Sequence, residues 1–575
     1  MIFIKEYRTM RSATRSRPIS ACTVGLLAFA IGAQSYAEGL EFSDPKQLNH
    51  ILRTNERVLQ FEVGGDSKRM IYHVTNLSTQ YGELRVAPLS GNAEATRINT
   101  SNLRDYDMSA DGKYVVYTTS NSPFTSANRL NSQVSDMSEP AVQLIPALSS
   151  GKEVARPEIS PDGHTVVFIS EERQNNLREL YSVPITGPSS SRVRLSGPLD
   201  PPDESSVVGV GGFYISPDSS TVVYFARPPG STVAELYSVP IDRSSEPVQL
   251  TDLNTNNRRI SGSIMFSPDS TTISFVSNQG VNDVYNLYSI PINGPKESAI
   301  RLNHDSDGES VRDSRISADG TTIVYRSAGS SSDLLYSVPI DRSTEPVLIS
   351  PIPVFDGDVS QYYEISSDSS TVVFKADMHI NNVSEIFAVP INGPSTSAIK
   401  LHQDLVVGQS VATFDKIELS PDGQSVTFRI DDSVADNLTK LYTAPLDTAN
   451  AAVDLTPMLV NDQYVQSSFK LSADSEYVVY IANQEDDIYE LYLATLDGQQ
   501  PPLKLNAALP DGGRIGTTFL SDKNIVRISA DSSSIVYAAE QIASGLGGLF
   551  VVRKIDDEIC FVTVASNNKV VTFCL

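Results

Sequence analysis

Apolar and polar positions along this chain alternate in short bursts, and the bursts recur in a fixed order. In one copy Phe213-Tyr214-Ile215 forms a short apolar strand, Ser216-Pro217-Asp218-Ser219 a tight turn, and Thr221-Val222-Val223-Tyr224-Phe225 a β-branched and aromatic strand. Proline presets φ at the first central position of such a turn, and Asp bonds backbone groups within it. A polar stretch from Ala226 to Ala234 leads to Glu235-Leu236-Tyr237-Ser238-Val239, which Pro240 closes, and Val248-Gln249-Leu250 supplies a fourth strand. The phrase returns with turn aspartates at Asp111, Asp162, Asp218, Asp269, Asp319, Asp368, Asp422, Asp474 and Asp531, and in degenerate form at Asp66. A period near fifty with four strands per copy predicts an all-β chain, a β-propeller of about ten four-stranded blades. A β-helix would use shorter coils, and a chain of sandwiches about 100 residues and seven strands per unit. No linker interrupts the copies, so a single large ring is expected over two smaller rings. Each terminal copy is expected to hold its own four strands.

A second order overlies the first. After the third strand come alternately Thr186-Gly187-Pro188, Asp242-Arg243-Ser244, Asn293-Gly294-Pro295, Asp341-Arg342-Ser343 and Asn392-Gly393-Pro394, as though a two-copy unit had been duplicated. Shared residues therefore reflect common origin and are not a repeated active site.

The turn Ile159-Ser160-Pro161-Asp162-Gly163, followed by an apolar strand and the line Leu180-Tyr181-Ser182-Val183-Pro184-Ile185, resembles the TolB-like propeller repeat. The same WD-like repeat occurs in tricorn protease and the prolyl oligopeptidase group. The resemblance covers residues 57–558. It implies the fold, and by analogy with TolB, whose propeller docks an envelope lipoprotein, protein binding across one face. TolB carries an α/β domain ahead of its propeller, whereas residues 38–56 are only a short lead-in, so the resemblance is to the propeller alone.

The first 37 residues read differently. Lys5, Arg8, Arg11, Arg15 and Arg17 form a basic region, Ala21 to Ala33 an apolar run, and Ser35-Tyr36-Ala37 a small-x-small cleavage site. Residues 1–37 are expected to be a signal peptide exporting the chain to a periplasmic or extracellular space. The run is too short to span a bilayer. The formal net charge of the whole chain is −25, and the leader holds five of its basic residues against one acid. Such acidity disfavours nucleic acid and anionic lipid and suits cationic partners or divalent cations. Cys560 and Cys574 bracket a hairpin pattern at residues 559–575, expected to cap the last blade with a structural disulfide.

Chemistry is sparse. The chain contains no Gly-x-Ser-x-Gly elbow and no non-propeller stretch long enough for a hydrolase domain. His50, His73, His164, His304, His379 and His402 mostly fall in different copies, without metal-ligand spacing. Asp305, Asp307 and Glu309 in the loop Asn303–Glu309 offer a partial calcium-like set, lacking EF-hand spacing. No other cofactor is indicated. The turn aspartates are expected to be structural, and the absence of Trp counts against a lectin. The expected function is a non-catalytic exported scaffold binding a protein or cell-envelope component. The alternative is an exported polysaccharide lyase or hydrolase with its site in a central channel, marked by clustered titratable side chains.

Overall fold

The structure, a computed structural model, describes residues 42–574 except 50–51, 53–54, 100, 150, 174–175, 198, 200–207, 228–230, 232, 254–257, 282–283, 305–308, 329–331, 355–356, 413–416, 435–437, 461, 486–487, 517–524, 544–545, 556–559 and 565–569. Among them there is no α-helix. Short 3-10 turns at Ser189–Ser191, Lys296–Ser298 and Ser395–Ser397 follow three of the Gly-Pro connections.

The Asp218 unit shows how the phrase folds. Val208–Ile215, Thr221–Ala226, Glu235–Pro240 and Val248–Gln249 pair successively as one antiparallel sheet. Thr221 to Ala226 lies directly opposite Pro240 to Glu235, which stacks Tyr224 on Tyr237 with ring centroids 5.5 Å apart. The same cross-strand pair recurs as Phe168–Tyr181, Phe275–Tyr288, Tyr325–Tyr336 and Phe374–Phe387, explaining the aromatic that the third-strand line carries in these copies. Its serine bonds the next unit: Ser182 Oγ donates to the Ile241 carbonyl at 2.7 Å and Ser289 Oγ to that of Ile340 at 2.7 Å.

The core lies between sheets. Val324, Leu335 and Ile349 of the Asp319 unit pack with Val372, Phe374 and Phe387 of the Asp368 unit, all buried. Equivalent clusters join other neighbouring units. Four-stranded antiparallel sheets stacked face to face through such cores are the blade construction of a β-propeller.

The turns form a second set of joints. Ser216 Oγ donates to Asp218 Oδ1 at 2.6 Å, Ser220 N–H donates to the same oxygen at 3.0 Å, and Thr221 N–H donates to Ser216 Oγ at 2.9 Å. The residue after the aspartate has positive φ: 64° at Ser219, 60° at Ser270, 54° at Ser67, and 74° and 75° where it is Gly163 and Gly320. Where it is serine, its Oγ accepts the N–H of the preceding unit's turn aspartate. Asp162 reaches Ser219, Asp218 reaches Ser270 and Asp422 reaches Ser475, each at 3.0 Å. Asp531 reaches back to Ser67 at 3.1 Å.

The last copy differs from the sequence expectation. Val526–Ile528, Ser534–Ala543 and Leu546–Arg553 supply three strands, and the fourth comes from the lead-in, with Lys46 opposite Val551 and Gln47 opposite Phe550. Leu48 N–H donates to the Leu549 carbonyl at 2.8 Å, anchoring the exchange. The strand Lys46–Gln47 is too short to leave a periodic signal, which is why it read as a lead-in. The cysteine hairpin does not extend this sheet: Cys560–Val564 and Val570–Cys574 pair only with each other, with Cys560 opposite Cys574. The two connection flavours also separate. Arg243 and Arg342 occupy positive φ and donate to carbonyls of the preceding unit, whereas Gly187, Gly294 and Gly393 precede cis prolines.

Candidate functional site

Because every strand pairing within a unit is antiparallel, the turn after the first strand leaves one end of the sheet. The second-to-third and fourth-to-first connections leave the other end. Two groups of side chains gather, one towards each end.

The first group is set by register. Four residues before each turn aspartate stand Glu62, Asp107, Glu158, Tyr214, Met265, Arg315, Glu364, Glu418, Lys470 and Arg527. First strands of neighbouring units lie side by side, so these residues interact from unit to unit. Lys470 Nζ is 2.9 Å from Glu418, and an Arg315 guanidinium nitrogen is 3.6 Å from Glu364. Arg527 lies over the Phe61 ring at 5.8 Å and lowers the pKa of Glu62, which burial raises more strongly. Each of the three cations thus offsets one neighbouring acid. Asp107 and Glu158 are adjacent acids with no cation between them at this position.

Their environment follows. Burial lifts the Asp107 carboxyl to about 6, opposed by N–H donors from Ile159 and Met108 and assisted by the charges of Glu62 and Asp105. Ile159 N–H donates to Asp107 Oδ2 at 2.7 Å. Glu158 stands open to solvent in a crowded crevice. The surrounding chain first, and then the like charge of Asp107, raise it to about 7, with Arg156 opposing. Tyr106, next to Asp107 and edge-on to His73 of the preceding unit, is largely buried, its hydroxyl shifted upward by that burial and by Glu62 and Asp105. One partly desolvated acid beside a second of higher pKa is an arrangement suited to proton transfer. Across the Asp319, Asp368 and Asp422 units a cavity of about 310 Å³ is lined by Asp313, Arg315, Gln361, Tyr362, Glu364 and Ile417.

The second group lies at the opposite end. Ile380, Val406, Val407, Val434, Met458 and Val460, on connections of the Asp368, Asp422 and Asp474 units, are between 61% and 90% exposed. Their loops adjoin: Ser433 N–H donates to the Gly408 carbonyl at 3.0 Å, and Thr439 N–H to the Gln463 carbonyl at 3.2 Å. Two share one conformation. Val406 N–H donates to Gln409 Oε1 at 3.1 Å, and Val460 N–H to Gln463 Oε1 at 3.0 Å, which holds the valines outward.

The residues singled out from sequence are dispersed. The turn aspartates are occupied by turn hydrogen bonds, with Ser hydroxyls at 2.5–2.6 Å from Asp111, Asp269, Asp368, Asp422 and Asp531. Asp305 and Asp307 lie outside the described residues, and Glu309 beside them is half-buried. Among the described residues no group of three or more His, Cys, Asp or Glu is placed to hold a metal ion. His164 is exposed beside its turn, His379 meets Glu385 at 2.5 Å, and His402 is buried against the Gln403 carbonyl. Sequence reading missed the register belt, although its signal was present: a charged residue four positions before most turn aspartates.

No family model matches the chain, and no curated protein matches its sequence. Among the solved structures that resemble this chain are two of the following description. One is a eukaryotic initiation factor, at 13% identity and a TM-score of 0.44, covering 72% of this chain and 91% of that one. The other is oligogalacturonate lyase in complex with manganese, at 13% identity and a TM-score of 0.32, covering 60% and 88%. Neither likeness is close enough to carry an activity across.

Proposed function

We propose that this protein is an exported, non-catalytic β-propeller scaffold of the TolB-like kind that binds a protein or cell-envelope component across the loop end of its blades. The observation that carries the reading is the display of apolar side chains on adjoining loop tips of three consecutive units, where nothing in the fold requires them. Export is supported by the basic and apolar leader, and TolB-like kinship by the recurring turn and Leu-Tyr-Ser-Val-Pro-Ile line. A single ring of ten blades, in place of two smaller rings, is supported by three contacts that tie the last copy to the chain's beginning. These are the pairing of Lys46–Gln47 with Val551 and Phe550, the Asp531–Ser67 hydrogen bond and the Arg527–Phe61 contact.

Residues 38–575, immobilised and exposed to envelope extract of the source cell with calcium and with chelator, should recover one protein at near-stoichiometric yield. Loss under chelator would implicate the loop of Asp305, Asp307 and Glu309. Recovery of no protein under either condition would overturn the scaffold reading.

One observation favours the alternative of a polysaccharide lyase or hydrolase: the Asp107–Glu158 pair, with carboxyls near 6 and 7. In that reading ionised Asp107 is the base and protonated Glu158 the acid, so activity peaks between those values. Turnover of an acidic or neutral polysaccharide, abolished by Asp107→Asn and by Glu158→Gln, would establish it. Absence of turnover across a polysaccharide panel removes it.

A further inference from the structure

We infer that the apolar loop edge of the Asp368, Asp422 and Asp474 units receives a basic amphipathic segment of a partner protein. This rests on the scaffold reading above and names the chemistry of its partner. The described residues of five stretches of sequence build the edge: 377–384, 401–410, 431–434 with 438, 455–464 apart from 461, and 485 with 488. Together they contain six Asp or Glu and no Lys or Arg.

Acids stand beside three of the exposed apolar tips. Asp404 precedes Val406, Asp432 accepts the Val434 N–H at 3.1 Å, and Asp462 follows Val460 in an exposed left-handed turn. The lysines on the strands behind offset only two of these acids: Lys400 pairs with Asp404 as well as with Glu385 at 3.7 Å, Lys504 with Glu485 at 3.3 Å as well as with Glu490, and Lys440 with Asp454 at 2.8 Å behind the edge. An apolar band edged by one sign of charge is complementary to a ligand with an apolar stripe edged by the other.

That complementarity excludes the other occupants. A second copy docking by the same patch would set acid against acid. An anionic lipid surface would be repelled for the same reason. The band is also continuous. Ser384 N–H donates to Ser410 Oγ at 3.0 Å, Gln463 Nε2 donates to the Gln484 carbonyl at 3.2 Å, and Tyr464 meets Tyr489 edge-on at 5.3 Å. These contacts join the loop segments of the three units into one surface.

The probe is a synthetic amphipathic helix with Leu along one face and Lys along the other, labelled and titrated by fluorescence anisotropy against residues 38–575. Two control peptides keep the composition but scramble the apolar face, or keep that face with Glu in place of Lys. The informative protein variant is Val407→Asp with Val460→Asp, both at exposed tips. If apolar contact and charge act together, the variant binds the Leu/Lys helix at least about tenfold more weakly, and neither control peptide binds. If charge alone acts, the added acids tighten binding and the scrambled peptide binds equally, which overturns the inference.

Failure of the wild-type chain to bind the Leu/Lys helix also overturns it. So does concentration-dependent self-association in sedimentation that the double variant abolishes, since the occupant is then a second copy. In each case the envelope-capture experiment still reports separately on the scaffold reading.

Discussion

Ser216 illustrates how much of this fold hangs on small polar side chains. Its hydroxyl donates to the Asp218 carboxylate and accepts the Thr221 N–H, so it satisfies one buried backbone donor and restrains an acid at once. Hydrogen bonds to charged groups are worth about 1.5–3 kcal/mol and neutral ones about 0.5–1.5. Ser216→Ala should therefore cost roughly 2 kcal/mol, read as a lowered thermal midpoint. Ser219→Gly should be close to neutral, because the hydrogen bond it loses to Asp162 is offset by relief of its positive φ, as Gly163 and Gly320 do elsewhere. An equal loss from both variants would contradict this division of labour. The turn serine and aspartate were legible from the sequence because their partners lie within five residues. The Asp107–Glu158 pair was not, because the two acids are 51 positions apart and meet only through the alignment of neighbouring strands.

Among the elements, the strand Lys46–Gln47 is the least conspicuous and among the most consequential. It completes the last sheet across some 500 positions of sequence, and Asn49 Oδ1 accepts the Leu549 N–H at 2.8 Å in a buried setting. Asn49→Ala leaves that donor unpaired, a cost of about 1–3 kcal/mol. Amide exchange should accelerate in Leu546–Arg553, while strands of the Asp319 unit stay protected. Uniform acceleration along the chain would show that the pairing is not a local clasp. The C-terminal hairpin permits a simpler test. Cys560 stands opposite Cys574 in the strand register, so if the expected disulfide forms, the protein resists alkylation until reduced. Full alkylation without reductant would exclude the disulfide. The regular strands were readable from period and turn chemistry. The clasp was not, because two residues carry no alternation.

For the whole molecule, two families of carboxylates pull stability in opposite directions with pH. Ser hydroxyls, then backbone N–H groups, lower the pKa of Asp269, Asp319 and Asp368. Their stabilisation is present above the unfolded carboxylate value of about 3.9 and is lost as pH falls through their lower folded values. Asp107 and Glu158 are raised to about 6 and about 7. The native state retains protons there that the unfolded chain has released. Their contribution is complete below about 4 and is lost as pH rises through 6 and 7. The thermal midpoint should accordingly peak at about pH 4 and decline towards neutral pH, and Asp107→Asn with Glu158→Gln should flatten the decline. A midpoint constant from pH 5 to pH 8 in the parent chain would refute the assignment.

By itself the sequence determined the blade. Val222 with Tyr224, and Tyr237 with Val239, stand at strand spacing, Pro217 and Asp218 shape the turn between the strands, and each influence acts over a few bonds. Only the tertiary structure decided which blades touch and what that contact assembles. The lead-in joined the last sheet, acids of neighbouring first strands came to lie beside each other, and valines from separate loops came to share one edge. These pairings span fifty to five hundred residues. They depend on the stacking of sheets upon sheets, which no local alternation of apolar and polar residues encodes.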